Sequence, residues 1–477
     1  MASGNSTGFL ARPEVLKATR SHNTVMQKRL SFTPKLCEAF QGPYTELRAD
    51  TRYQFKTHAF CREQLPDIID NPVQTITATS SPDAAVRRDF EKKRHIGVVF
   101  SGGPAPGGHN VIAGIFDAMS AANPESRLFG FLMGPDGLLE GNYIELTREI
   151  IDSYRNLGGF TMIRTGRTKI DTASKMARAR ETCQQLDLDA LVIIGGDDSN
   201  TNAALLAQAF HADGIQVIGV PKTIDGDLQV KDKDGSPLVT ISFGFHSAAR
   251  AFANDISNLS TDCSSDAKYW HVCKVMGRSA SHLGLEVGLQ VHPNILVIGE
   301  ELAEFIDTQR LEKARKQGTV DYTAYGMTLR HLSRVICDGI VRRAAVGKNY
   351  GIIVIPEGVL EFINEIQIFI IKLNTIIADY NSTHDTDFHT DFPALEDKLD
   401  YLRRLARLSR EESAFTIWNT RDDDLFNDLP EFFQEGLLTE RDSHGNFQFS
   451  QVQTEKVIMG LVTDYLKILQ DKGEYKM

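Results

Sequence analysis

Apolar residues along this chain change their spacing twice. Residues 1–94 are polar and proline-dotted, with weak periodicity, and NPVQTITATSSPDAAVRRDFEKKR reads as a linker closing on a charged helix. From residue 95 short apolar runs ending near glycine (96–100, 128–132, 191–194, 217–220, 271–275, 295–298 and 351–355) alternate with amphipathic segments. Those segments, 110–121, 172–186, 201–212 and 247–259, carry apolar residues every three to four positions and predict helices. Uninterrupted apolar strands separated by helices predict parallel sheets covered on both faces. After Gly358 the period becomes purely helical. LEFINEIQIFIIKLNTIIADY predicts a long buried helix, 380–450 a charged helix-rich stretch, and QTEKVIMGLVTDYLKILQDK an amphipathic helix.

The expectation is therefore an α/β chain in four segments. These are an N-terminal extension (1–94), an α/β domain (95–240), a second α/β domain (241–359) and a helical insertion or flanking region (360–477). Short repeats and low-complexity tracts are absent from the sequence.

Composition narrows the class. The chain has 477 residues, 42% of them hydrophobic, enough for two or three cores. A net charge of −11 disfavours a nucleic-acid face and requires a local basic site for any polyanionic substrate. Six cysteines, Cys37, Cys61, Cys183, Cys263, Cys273 and Cys337, form no C-x-x-C pair, which points to a reducing compartment. The start MASGNSTGFLARPEV has no apolar signal core, and no run of eighteen apolar residues occurs. A soluble cytoplasmic protein without membrane or nucleic-acid partners is expected.

In parallel α/β sheets ligands bind at the carboxyl ends of strands, so the loops there carry the candidate chemistry. SGGPAPGGHN (101–110) leaves a strand and opens a helix; its four glycines let backbone amides approach an anion. It is neither a Walker A loop nor a dinucleotide fingerprint, and a glycine-rich turn without ligand is the plain alternative. GGDDSNTN (195–202) sets Asp197 and Asp198 side by side. Ser199 or Asp198 could cap the next helix, but a carboxylate pair beside two glycines fits magnesium better. PKTIDGDL (221–228) offers Lys222 as a cation, with Thr223 and Ile224 in the same turn. Asp225 and Asp227 would share a side in an extended segment, where a carboxylate can take a proton from a hydroxyl. A calcium-like or merely solvated acidic turn is the alternative there. In KVMGRSASHLGLEVG (274–288) Arg278 can grip a phosphate through two N–H groups, and in IPEGV (355–359) Glu357 ends another strand. Taken alone, these two are ordinary solvated charges. Together the five loops predict phosphoryl transfer, which needs positioning and charge neutralisation more than covalent catalysis.

In this order, SGGPAPGGHN, GGDDSNTN, PKTIDGD, MGR and PEG resemble the long form of the pyrophosphate–fructose-6-phosphate 1-phosphotransferases within the phosphofructokinase family. YRNLGGFTMIRTGRTKI, LDLDALVIIGGDDSNTNAALLA and HPNILVIGEE add to the likeness, which covers roughly residues 95–475. The resemblance implies two doubly wound domains and reversible transfer from pyrophosphate to the 1-hydroxyl of fructose 6-phosphate. It implies Mg2+ held by Asp197, Asp225 as proton acceptor, and Lys222 stabilising the transferring group. Gly103 and Arg167 would contact pyrophosphate. Thr223, Ile224, Asp225, Asp227, Met276, Gly277, Arg278 and Glu357 would hold the sugar phosphate. Lys268 and Tyr269 match a pair that reaches the sugar phosphate of a neighbouring subunit, which implies a homo- or hetero-oligomer.

ATP-using relatives usually carry glycine where this chain has Asp198. Two unit charges 4 Å apart repel by about 4 kcal/mol at an effective dielectric near 20, roughly a thousandfold in affinity. Asp198 would therefore reject the α-phosphate of ATP while sparing pyrophosphate. A regulatory subunit and an ATP-dependent phosphofructokinase are the competing expectations; Asp197, Asp198, Lys222, Asp225 and Asp227 together favour the pyrophosphate-using catalyst. In the family a segment with a Gly-Tyr-x-x-Arg motif follows a helix like LVTDYLKILQDKGEYK. The chain ends at Met477 before any such motif, so a truncated acceptor half and a missing strand and helix are expected.

Overall fold

The computed structural model describes residues 24–51, 57–317, 324–384, 386–411, 417–427, 429–438 and 453–475. The first 23 residues of the N-terminal extension and the part of the charged helical stretch at 439–452 lie outside them. The chain divides into two compact units, Met1–Ala248 and Ala249–Met477.

In the first unit the N-terminal extension contains strands β1 (Tyr44–Ala49) and β2 (Gln74–Thr79), paired antiparallel from Tyr44↔Thr79 to Ala49↔Gln74. The linker expected over this stretch is thus partly strand. Neither strand is buried, so no alternating apolar face marked them in the sequence, and a main-chain ladder pairs them, with Thr77 Oγ1 donating across it to the Glu46 carbonyl. The charged helix expected after them is present at Ala84–Phe90, with the Asp83 carboxylate accepting from the amides of Ala85 and Val86.

The principal sheet contains β3 (His95–Phe100), β4 (Arg127–Phe131), β5 (Tyr143–Glu145), β6 (Ala190–Gly195) and β7 (Gln216–Pro221) in the order β5-β4-β3-β6-β7. All neighbours run parallel except β4 and β5. Alternation by two explains its burial on both sides. Val98, Phe100, Val192 and Ile194 point into one core with Ile112 and Ala113 of helix α1 (Gly108–Ala122) and Ile150 and Ile151 of α2 (Arg148–Tyr154). Val99, Leu191 and Ile193 point the other way, onto Ala179 and Cys183 of α3 (Ala173–Gln185) and Ala203, Leu206 and Phe210 of α4 (Asp197–Phe210). The doubly wound arrangement expected from the sequence is present. A two-stranded ribbon of β8 (Val230–Lys231) and β9 (Pro237–Val239) comes after this sheet in the chain.

The second unit holds a parallel three-stranded sheet of β10 (Trp270–Val275), β11 (Ile295–Leu296) and β12 (Gly351–Pro356), ordered β10-β12-β11. Strand β11 is shorter than the apolar run 295–298. Val297 still donates its amide to the Val354 carbonyl, but Ile298 already caps the helix Gly299–Glu304. Ile353 and Ile355 of β12 enter one core with Leu332, Ile336 and Ile340 of helix α5 (Leu329–Ala344). Ile366, Phe369 and Leu373 of α6 (Asn364–His384), and Val457, Ile458 and Val462 of α7 (Thr454–Asp471), complete it. The helices after residue 360 share this core with the sheet. Among the described residues no helix is long and apolar enough to cross a membrane.

Candidate active site

Strand β3 ends at Phe100, and the glycine loop after it is zipped against a second loop. Ser101 donates its amide to the Ile194 carbonyl at 2.9 Å, and Gly102 donates to the Gly166 carbonyl at 2.8 Å. Thr165 Oγ1 donates to the Gly102 carbonyl at 2.7 Å. This pairing brings the RTGR segment alongside the glycine loop, so that a Cβ on Gly103 would lie 3.7 Å from Arg167 Nη2. Gly107 caps α1 with φ 105°, and a Cβ there would stand 2.9 Å from the Phe243 ring. Only glycine meets both demands. Among the first amides of α1, His109 donates to the Gly159 carbonyl at 3.1 Å and Asn110 to the Gly107 carbonyl at 3.0 Å, so the exposed Arg167 is the cation this loop sets toward solvent.

The carboxylate pair occupies a different place from that expected. Helix α4 begins at Asp197, not near residue 201, so Asp197 and Asp198 form its first turn after Gly196. Neither Ser199 nor Asp198 is the cap. Ser199 is buried and donates to Ser101 Oγ at 2.8 Å, tying this turn to the glycine loop. Carboxylates favour a helix start because they oppose its positive end, which is why the helix extends over residues that resemble a loop in sequence. Both are exposed.

Lys222 links the three loops. Its amide donates to the Gly195 carbonyl at 2.8 Å, and its Nζ donates to the Gly103 carbonyl at 2.7 Å. Only 8% of the residue is exposed. Burial holds the ammonium below the ordinary lysine range, against the opposing pull of Asp225; Arg167 depresses it further, while Asp197 and Asp227 support its charge. One buried cation thus feels residues from four separate sequence segments.

The turn after β7 departs from the expected extended geometry. Gly226 has φ 79°, and the chain bends through 224–226, so Asp225 and Asp227 do not simply alternate on one side. Thr223 Oγ1 donates to Asp227 Oδ1 at 3.1 Å and accepts from the Asp225 amide at 3.1 Å. Ser242, which sequence reasoning missed, bonds both the amide and the carbonyl of Thr223 at 2.7 Å. The side chain of Ile224 packs against the first core, leaving its backbone as the part available to a ligand.

In the second unit the parallel register aligns Val275 with Pro356, so Met276, Gly277, Arg278 and Glu357 follow the carboxyl ends of neighbouring strands. The Glu357 amide donates to the Val275 carbonyl at 2.8 Å, and the Gly358 amide to the Gly277 carbonyl at 2.9 Å. Lys268 and Tyr269 sit before the other end of β10, with Lys268 Nζ 5.5 Å above the Tyr269 ring. Six strand residues separate them from Met276, about 20 Å at strand rise, so this unit does not gather the two groups into one cluster. Glu361 was not singled out in the sequence. Burial pushes its carboxyl up to about 7, against the charge of Arg278 and with the help of Glu357. The four-residue spacing from Glu357 just past a strand end was the available signal. His109, buried beside the glycine loop, accepts the Met162 amide on Nε2 at 3.0 Å; burial, then Arg29, lowers its pKa to about 4.

The donor set suits magnesium better than a softer metal. No group of three or more His, Cys, Asp or Glu residues able to hold a metal occurs among the described residues. Magnesium commonly takes one or two carboxylates and completes its shell with water and substrate phosphates. The exposed carboxylate of Asp197 at the start of α4 fits that pattern.

The chain is similar to known proteins. The phosphofructokinase family profile matches residues 95–385. A pyrophosphate–fructose 6-phosphate 1-phosphotransferase of Porphyromonas gingivalis is 43% identical over 450 residues, covering 94% of this chain and 73% of that protein. The beta 2 subunit of the enzyme of the same name in Arabidopsis thaliana is 38% identical over 466 residues, covering 97% of this chain and 72% of the relative. The Treponema pallidum protein of that name is 41% identical over 382 residues, 80% of this chain and 59% of the relative.

Proposed function

This chain belongs to the phosphofructokinase family, and from that premise we propose that it transfers a phosphoryl group reversibly from pyrophosphate to the 1-hydroxyl of fructose 6-phosphate. The products are fructose 1,6-bisphosphate and phosphate. The observation that carries the assignment is Lys222. A buried ammonium bonded to the glycine loop, within electrostatic reach of Asp197, Asp225, Asp227 and Arg167, supports a site for a short, highly charged donor.

In this reading the amides around Gly103 and the Arg167 guanidinium bind the pyrophosphate oxygens. Lys222 stabilises charge on the group in transit. Asp197 would hold magnesium, which when bound neutralises phosphate oxygens. Asp225 accepts the proton of the sugar hydroxyl as that oxygen attacks. Thr223 and Asp227 brace the turn that carries Asp225, and the Ile224 backbone lines it. Met276, Gly277, Arg278 and Glu357 hold the sugar phosphate. Lys268 and Tyr269 serve a neighbouring subunit, and their distance along the strand from Met276 supports an oligomer; relatives named as subunits alpha and beta fit the same view.

Asp198, exposed in the first turn of α4, sets donor choice by repelling a nucleotide α-phosphate. The decisive assay offers fructose 6-phosphate with pyrophosphate or ATP in separate reactions and measures fructose 1,6-bisphosphate. Turnover with pyrophosphate alone is expected; turnover with ATP alone overturns the donor assignment. Asp198→Gly combined with Lys222→Gly is expected to admit ATP. A folded double variant that still binds none would remove Asp198 from this role.

A further inference from the structure

His109, in the first turn of α1, has no part in the preceding assignments. It is fully buried. Its main chain and its side chain both grip the segment 159–162. The His109 amide donates to the Gly159 carbonyl at 3.1 Å, and Nε2 accepts the Met162 amide at 3.0 Å, with Thr161 Oγ1 at 3.5 Å from the same nitrogen. Glycines at 158 and 159, with φ 72° and 81°, turn the chain so that it meets the helix at both points.

The imidazole has little freedom. Tyr154 packs against it T-shaped with centroids 5.0 Å apart, and Phe100 lies 6.4 Å away. Burial, then Arg29, keeps the ring neutral at ordinary pH, so Nε2 offers a lone pair while Nδ1 carries the proton. Met162 is buried as well, and a buried amide needs an acceptor.

The gripped segment leads to the groups assigned to the donor. Phe160 stacks on Phe100 with centroids 4.0 Å apart, and Lys222 Nζ lies 6.0 Å from the Phe160 ring centre. A Cβ on Gly108 would overlap Phe160, so that ring sits hard against the start of α1. Arg167 follows Met162 by five positions. Between them Ile163 accepts the Met133 amide at 2.9 Å, and Thr165 ties to the Gly102 carbonyl. His109 thus fixes the near end of a strip whose far end holds the exposed Arg167.

We propose that His109 is a positioning residue for pyrophosphate: by holding the Met162 amide it sets the places of Arg167 and of the Phe160 ring beside Lys222. Being fully buried, it acts through these residues and touches no substrate. This role rests on the functional reading above, in which Arg167 and Lys222 meet pyrophosphate.

The test compares H109Q with H109M in the full chain. From Cβ, the Oε1 of glutamine stands as many bonds out as the Nε2 of histidine and can accept the Met162 amide, whereas methionine has similar length and no strong acceptor. Circular dichroism and melting temperature establish folding, and steady-state kinetics gives KM for pyrophosphate and for fructose 6-phosphate separately. In H109M the KM for pyrophosphate should rise by about tenfold or more, with that for fructose 6-phosphate changed by less than about twofold, and H109Q should return the first towards wild type. A role in the fold alone would lower the amount of active enzyme without separating the two KM values. H109N, whose carbonyl falls short of the Met162 amide, supplies the same contrast if H109M does not fold. A wild-type chain without pyrophosphate turnover overturns the functional reading and this role with it. With an active wild type, a pyrophosphate KM unchanged in H109M, both KM values raised alike, or H109Q no better than H109M overturns this role alone. Failure of both H109M and H109N to fold does the same.

Discussion

At the scale of single residues, environment separates carboxylates that look alike in sequence. Asp225 is half-buried on a turn braced through Thr223 and Ser242, whereas Asp227 is exposed and accepts from Thr223. If Asp225 is the proton acceptor, Asp225→Asn should lower kcat by about a hundred- to ten-thousand-fold with little change in KM or melting temperature. Steady-state kinetics checks this; a variant of near-normal kcat would move the proton elsewhere. Glu361 offers a pH prediction. Its carboxyl is raised from 4.5 to about 7 in the fold, so the folded state holds its proton more tightly than the unfolded chain does. The stability this contributes is present below pH 4.5 and is lost as pH rises through 7. Glu361→Gln should therefore gain stability over the wild type at pH 8, with the difference shrinking towards pH 5. Urea denaturation at the two pH values measures it, and equal differences at both would reject the assignment.

Elements set which residues meet. The parallel pairing of β10 with β12 puts Arg278 and Glu357 side by side, although 79 positions separate them in the chain. Gly358 makes that approach possible, since a Cβ there would overlap the Arg278 carbonyl oxygen. Gly358→Ala should cost about 1–3 kcal/mol of stability through overpacking and raise the KM for fructose 6-phosphate. Chemical denaturation and substrate titration together check this, and an unstrained variant with normal KM would contradict the close packing. Similarly, the early start of α4 converts a loop carrying two carboxylates into a helix turn, so that the chain's positive helix end, rather than a cap, holds them.

For the whole molecule, stability is organised in cores that belong to separate units. The helices after residue 360 complete the hydrophobic face of β12, with Leu373 and Trp418 fully buried in the same cluster as Ile353 and Ile355. Leu373→Ala should cost about 2–5 kcal/mol, a large fraction of a domain's stability. Amide exchange is expected to accelerate at β12 while β6, in the first unit, keeps its protection. Loss of protection confined to α6 would show that the helices form a core of their own.

The periodicity of apolar residues by itself determined the strands β3, β4, β6, β7, β10 and β12 and helices α1, α3, α6 and α7, because an apolar run and a helix buried on one face leave different spacing in the chain. Glycines and charges at the strand ends likewise marked the loops and the phosphoryl chemistry. Three-dimensional packing alone decided that Lys222 reaches the Gly103 carbonyl, that Ser242 braces Thr223, that burial raises Glu361, and that residues 44–49 and 74–79, none of them buried, pair as strands. Each of these depends on contacts between residues far apart in the chain, or on removal from water, and neither leaves a periodic trace in the order of amino acids.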